Sequence, residues 1–264
     1  MKRGSLFLVA AFALLFAQCS FMQLTPSNYV ENAHCNLNMN MIYVKGGTFN
    51  QGPYGSHHQV SLSDYWIGEC EVTQAQWELV MGTSIYDLRY RAEQLSGENR
   101  PLRGVGSTHP MYNVSYDDAK EFCYRLSSMT GKKYDLPTEA QWEFAASGGS
   151  ASCGYAYSGS NNLYEVAWCK GNSNQSTNPV KYKRANELGI YDMSGNVQEW
   201  CKDWHGDYFQ YDQRDPQGPS YGVRRIVRGG SWRWEDVQCC VWTREKYLPT
   251  LATSYVGFRV VCVE

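Results

Sequence analysis

The feature that most constrains this chain is a mismatch in its second half. After residue 150 no sustained helical or strand period remains, and turn-rich runs such as SGSNN (158–162) and GNSNQSTN (171–178) follow one another. Yet the chain carries 20 tyrosines and 9 tryptophans, spread along its length. Large rings that no regular amphipathic face can bury must be buried by irregular segments, with each ring pinning several of them. The second half is therefore predicted to build its core from loops held by aromatics. No internal repeat and no low-complexity tract interrupts this pattern.

Regular signals concentrate in the first half. MIYVKGGTFNQG (41–52) reads as a strand, a Gly46-Gly47 turn and a second strand, and VSLSDYWIGECEVT (60–73) as a further pair. Three helix starts carry Ser or Thr with Gln or Asp three residues on, the capping-box spacing or close to it. Thr73 with Gln76 opens a helix ending at Gly82. Ser115 with Asp118 opens one whose Ala119, Phe122, Cys123 and Leu126 share a face and which Gly131 ends. Thr138 with Gln141 opens a third, ending at Gly148-Gly149. YVGFRVVCV (255–263) reads as a closing strand that returns to the sheet begun near residue 41.

At the start, Lys2 and Arg3 precede the apolar run Leu6–Ala17, the shape of a secretory signal and too short for a comfortable membrane span. Cys19 follows directly, where a bacterial lipoprotein carries its acylated cysteine. The residues before it, Phe16, Ala17 and Gln18, depart from the usual Leu-x-(Ala/Gly/Ser), so plain export with cleavage after Ala17 stays open. The division expected is 1–18 as a lipoprotein-type signal peptide, 19–40 as a polar tether and 41–264 as one domain. Net charge is −2 for the full chain, and removing Lys2 and Arg3 leaves 22 basic against 26 acidic side chains, or −4. Nothing in that balance points to a nucleic-acid surface. Ten cysteines are present without a CxxC pair or a Cys/His cluster, which argues against structural zinc. Export permits disulfides, and an acylated Cys19 leaves an odd number.

Six segments then occur in one order: MIYVKGGTFNQG, GECEVTQAQW, NVSYDDAKEFCYRLSSMTGKKYDLPTEAQWEFAASGG, NELGIYDMSGNVQEWCKDW, RIVRGGSW and VGFRVV. Together they cover residues 41–262, and in them the chain resembles the formylglycine-generating, or sulfatase-modifying factor, family. The resemblance implies an α+β, C-type-lectin-like fold with small twisted sheets, about three helices and much irregular chain.

It also implies two sites and a disulfide. The stretch Asp192-x-x-Gly195-Asn196-Val197-x-Glu199 matches the family's calcium loop, with side-chain ligands at Asp192 and Glu199 and carbonyl ligands at Gly195 and Val197. A hard cation that seeks several oxygens suits that set, and a plain turn capped by Asp192 is the alternative. The family's oxidases hold copper(I) between cysteines three and eight residues past the Ser of Arg-Gly-Gly-Ser. Here Arg228-Gly229-Gly230-Ser231 is intact, but Trp234 stands three past Ser231 and only Cys239 stands eight past it. Ser231 and Cys239 thus read as vestiges of a catalytic site, copper is argued against, and Cys239 is expected to be structural. The family's helix cysteine pairs with one directly after Gly-Phe-Arg. Here Cys123 holds the first position, and the second is Val260, with Cys262 two residues on and on the same strand face. A Cys123–Cys262 bond is therefore expected.

The segment 233–255 mixes aromatic, charged and small residues without a period. By the resemblance it lines the face used for substrate peptide, and its Arg233, Trp234, Glu235, Gln238, Trp242, Tyr247 and Tyr255 are the candidate contacts, Arg, Trp and Tyr being the residues that dominate binding surfaces. Variable proteins of diversity-generating retroelements place their changing positions there on the same fold. An ordinary surface loop is the plain alternative. The reading that follows is a surface-tethered, non-catalytic protein of the bacterial cell envelope, bound to the membrane through a lipid anchor, that binds a protein or peptide ligand. An oxidase of protein cysteine and a structural subunit of an envelope complex are the two other functions in view, since fold alone does not decide.

Overall fold

The computed structural model describes residues 26–32, 37–53, 58–97 and 101–263. The expected signal peptide and Cys19 lie outside them. Twelve short strands form three sheets. The five-stranded sheet runs β1 (Tyr29–Glu31), β2 (Met39–Val44), β5 (Tyr65–Gly68), β12 (Val261–Val263), β6 (Lys133–Asp135). The four-stranded sheet runs β10 (Arg244–Tyr247), β9 (Arg225–Arg228), β7 (Gln198–Trp204), β11 (Val256–Gly257), and a three-stranded sheet joins β3 (Gly47–Gln51), β4 (His58–Leu62) and β8 (Gln213–Arg214). Around them sit α1 (Gln74–Met81), α2 (Ile85–Ser96), α3 (Tyr116–Thr130), α4 (Glu139–Ala146) and the single turn α5 (Leu163–Val166).

The three expected helices form with their expected N-caps, and the third ends at Ala146, short of the expected Gly148-Gly149, with Ser147 as its C-cap. Thr73, Ser115 and Thr138 each accept from the backbone N–H of the third helical residue, whose side chain returns to the cap's own N–H. Gly82 and Gly131 end α1 and α3 in the left-handed region, with φ of 71° and 73°. On α3 the predicted face of Ala119, Phe122, Cys123 and Leu126 is buried. Phe122 stacks on Trp77 of α1 at 5.9 Å and meets Phe258 edge-on at 5.2 Å, so two helices and the last segment of chain share one aromatic centre.

Three expectations change. The tether expected over 19–40 contributes a strand from Tyr29, because Tyr29 packs on Trp66 at 6.1 Å and Glu31 accepts from Tyr134 and Lys132. The closing strand reaches the expected sheet but splits on the way. Its first part pairs with β7 and its second with β5 and β6. A Cβ at Gly257 would stand 2.3 Å from the Met111 carbonyl oxygen, so the crossing between sheets needs glycine there. Cys123 and Cys262, the expected disulfide, are both free thiols in the same core cluster.

Candidate functional site

The Arg228–Ser231 turn is built around Cys239. Gly229 and Gly230 adopt φ of 95° and 69°, and a Cβ on Gly230 would lie 2.6 Å from the Cys239 sulfur and 2.8 Å from the Gln238 carbonyl oxygen. Arg228 leaves this turn fully buried and pairs with Glu143 of α4. Cys239 ends a 3-10 turn over Asp236–Cys239 and is 0% exposed, as is Ser231. Burial pushes its thiol well above the usual cysteine range, and the neighbouring ionisable groups Cys169, Cys240 and Asp236 push the same way. Such a sulfur is packed in the core and keeps its proton near neutral pH.

Trp234 faces away from chemistry and into a ring cluster. Its indole N–H donates to Gln198 Oε1 at 3.2 Å, the same oxygen that the Tyr247 hydroxyl donates to at 3.1 Å. Tyr255 meets Trp234 edge-on at 6.1 Å and Tyr247 at 6.3 Å, and the Arg233 guanidinium lies over both Trp234 and Tyr255. Four of the expected face residues, Arg233, Trp234, Tyr247 and Tyr255, are thus one constellation. Glu235 lies at its rim in an exposed pair with Lys170. Gln238 is half-buried beside the Arg228 turn. Trp242 lies elsewhere, lining a separate cavity with Glu143 and Tyr155.

Beside the constellation opens a cavity of about 530 Å³. Its walls include Arg233 and Tyr255, together with residues that pattern did not mark: Arg103, Asn113, Trp232 and Thr253. Trp232 is held by its indole N–H on the Ser254 carbonyl oxygen, and Arg103 lies over its ring at 5.5 Å. The segment carrying Arg103 is fixed in turn, since its N–H donates to the Tyr112 hydroxyl and its carbonyl accepts from Thr177. Asn113 takes φ of 58°, is 2% exposed and donates its N–H to the Thr253 carbonyl oxygen. The Asn113 signal was present in sequence only as the first residue of an Asn-Val-Ser triplet, which its burial makes a poor acceptor for a glycan.

The loop 192–199 fits the implied calcium only in part. Asp192 is buried with φ of 57°, and its Oδ2 accepts from the Lys181 N–H while Oδ1 has no partner. Glu199, however, has both oxygens engaged. Arg259 reaches each of them at 2.7 Å, and the Trp142 indole N–H adds a bond of 2.7 Å. A cation at Glu199 would share its carboxylate with that guanidinium, whose positive charge opposes a second cation there. Glu71, also fully buried, accepts weakly at 3.4 Å from Val197 and Asn196, and burial followed by the nearness of Asp192 drives its carboxyl well above the carboxylate range. Gly195 serves the turn sterically, because a Cβ there would stand 2.4 Å from the Trp168 carbonyl oxygen. The Val197 N–H is the donor to Glu71. Among the described residues no group of three acidic, histidine or cysteine side chains is arranged to hold a metal ion.

Three comparisons bear on this arrangement. The model of the sulfatase-modifying factor enzyme 1-like domain matches residues 26–263. A chaperone protein LppX of Paenibacillus barcinonensis is 32% identical, over 88% of this chain and 89% of its own. The formylglycine-generating enzyme of Streptomyces coelicolor is 35% identical but over 57% of this chain, which spans 52% of that enzyme. In three dimensions the Treponema denticola variable protein 1 superposes with a TM-score of 0.79 at 30% identity, over 90% of this chain and 99% of its own. With its strand order, its aromatic core and its Arg-Gly-Gly-Ser turn closed over one cysteine, the chain belongs to the sulfatase-modifying factor enzyme 1-like family.

Proposed function

We propose that this chain is a non-catalytic binding protein of the bacterial cell envelope, anchored through a lipid on Cys19, and that it takes a protein or peptide ligand in the cavity beside Trp232. The observation that carries the reading is Cys239, which is sealed in the core while Trp234 occupies the position of the family's other thiol. An indole offers one N–H and no ligand atom for copper, and here that N–H is already committed to Gln198. The full-length likeness to proteins named a chaperone and a variable protein, neither named for an oxidation, supports the same reading.

The test is incubation of the mature protein with copper(I), oxygen and a peptide carrying Cys-x-Pro-x-Arg. The expected result is no change in mass at the cysteine, and turnover would overturn the reading. The anchor is tested separately by intact mass and detergent partitioning of protein from its native membrane. A diacylated N-terminus at Cys19 is expected, and a soluble product that begins at Gln18 would remove the anchor from the proposal.

A further inference from the structure

The cavity beside Trp232 has a chemical bias that its aromatic rim does not explain. Arg103 and Arg233 both line it, and neither has an acidic partner among the described residues. Each is held by rings instead: Arg103 over Trp232 at 5.5 Å, and Arg233 over Trp234 at 5.2 Å and Tyr255 at 4.6 Å. Stacking fixes the plane of a guanidinium and leaves edge donors for a ligand, although one Arg103 donor, Nη1, makes a long bond of 3.4 Å to the Gln175 carbonyl oxygen. Lys170 adds a third cation at the mouth, already paired with Glu235. Among the described residues no carboxylate lines the cavity.

The inner wall asks for the opposite chemistry. Asn113 Oδ1 and Thr253 Oγ1 are buried and make no hydrogen bond. The residues adjoin, since the Asn113 N–H donates to the Thr253 carbonyl oxygen. A buried acceptor without a partner costs on the order of 1–3 kcal/mol, a cost that a ligand donor removes. Asn113 is also held at φ of 58°, a conformation that loop packing sustains.

From these groups we infer that the cavity recognises an acidic peptide, with a carboxylate between Arg103 and Arg233 and a neighbouring backbone N–H on Asn113 and Thr253. Planar guanidinium edges match a carboxylate bidentately. The unpartnered Asn113 and Thr253 oxygens call for a donor next to that charge, which a peptide supplies as a backbone amide beside a side-chain carboxylate, whereas sulfate carries none. The inference rests on the binding reading above and adds the class of ligand.

Calorimetric titration of the mature, full-length protein tests it with four peptide probes of one length, capped at both ends unless stated. They carry Glu-Glu, Gln-Gln, Lys-Lys, or Gln-Gln with a free C-terminal carboxylate. Inorganic phosphate is the fifth. The Glu-Glu peptide is expected to bind at least tenfold more tightly than Gln-Gln, Lys-Lys or phosphate, with affinity falling as salt rises. The free C-terminus probe decides whether a terminal carboxylate serves as well as a side chain. Arg103→Gln and Arg233→Gln should each weaken the Glu-Glu peptide about tenfold and flatten the salt dependence. Asn113→Gly keeps the positive φ and should weaken binding without changing that salt slope. Unchanged melting temperatures check that each variant folds. Equal binding of Gln-Gln or Lys-Lys, or no binding of Glu-Glu, would overturn the inference. Equal binding leaves the binding function standing, whereas oxidation of a cysteine peptide in the earlier assay removes that function itself.

Discussion

Cys239 shows how one side chain's setting decides its chemistry. Two glycines let the Arg228–Ser231 turn close over its sulfur, and the absence of exposure raises its thiol far above neutral pH. Reactivity follows thiolate fraction and access, so Cys239 is expected to stay unmodified when the native protein meets iodoacetamide at pH 8. Cys153 is exposed and should react first. Peptide mapping by mass after timed quenching gives the order of labelling. Native labelling of Cys239 at the rate of Cys153 would mean that the turn opens and would return Cys239 to the list of reactive groups.

At the scale of the element, the loop 192–199 is organised by an ion pair inside the protein. Glu199 and Arg259 are both 0% exposed and meet through two bonds of 2.7 Å, with Arg259 also donating to the Gly68 and Tyr191 carbonyl oxygens. Removing one partner of such a pair leaves a buried charge uncompensated, so Arg259→Leu is expected to cost about 3–5 kcal/mol in a denaturant titration. The double variant with Glu199→Gln should recover part of that loss. Calcium added at millimolar concentration, or a chelator, is expected to leave the melting temperature unchanged. A calcium-dependent rise that Asp192→Asn abolishes would show that the loop holds the ion despite the Arg259 pair. The helices were the legible part of this scale. Capping boxes at Thr73, Ser115 and Thr138 are local, and their outcome is local. α2 carries the same signal, Ser84 with Asp87 and a closing Gly97, and was readable in the same way. That Cys123 and Cys262 stay free thiols was not legible, because a shared strand face puts them in one core cluster without fixing how closely their sulfurs approach. Nor was the cavity wall, where Arg103, Asn113 and Thr253 converge from three loops without a period to announce them.

Over the whole molecule, carboxyls buried without full compensation set the response to pH. Burial raises Asp203 to about 7, with Glu139 nearby adding to the effect, and raises Asp192 to about 6. Both groups bind a proton more readily folded than unfolded. Their contribution to stability is therefore complete below about pH 4 and is lost as pH rises, through about 6 for Asp192 and about 7 for Asp203. From those values the native state forgoes about 3 kcal/mol at Asp192 and about 4 kcal/mol at Asp203 by pH 8.5. His58, His109 and His205, each lowered by burial, act in the opposite sense around their ordinary range, so the wild-type profile mixes the two. A variant comparison separates them. Asn at either position keeps an oxygen for the bond now accepted, from Lys181 at Asp192 and from Glu139 at Asp203, and carries no charge. The double variant Asp192→Asn/Asp203→Asn is expected to melt several degrees above wild type at pH 8.5, with the gap closing toward pH 4. Melting curves at half-unit pH steps measure it. A variant less stable than wild type at pH 8.5 would mean that these carboxylates are compensated in their charged form, as a bound cation at Asp192 would make them.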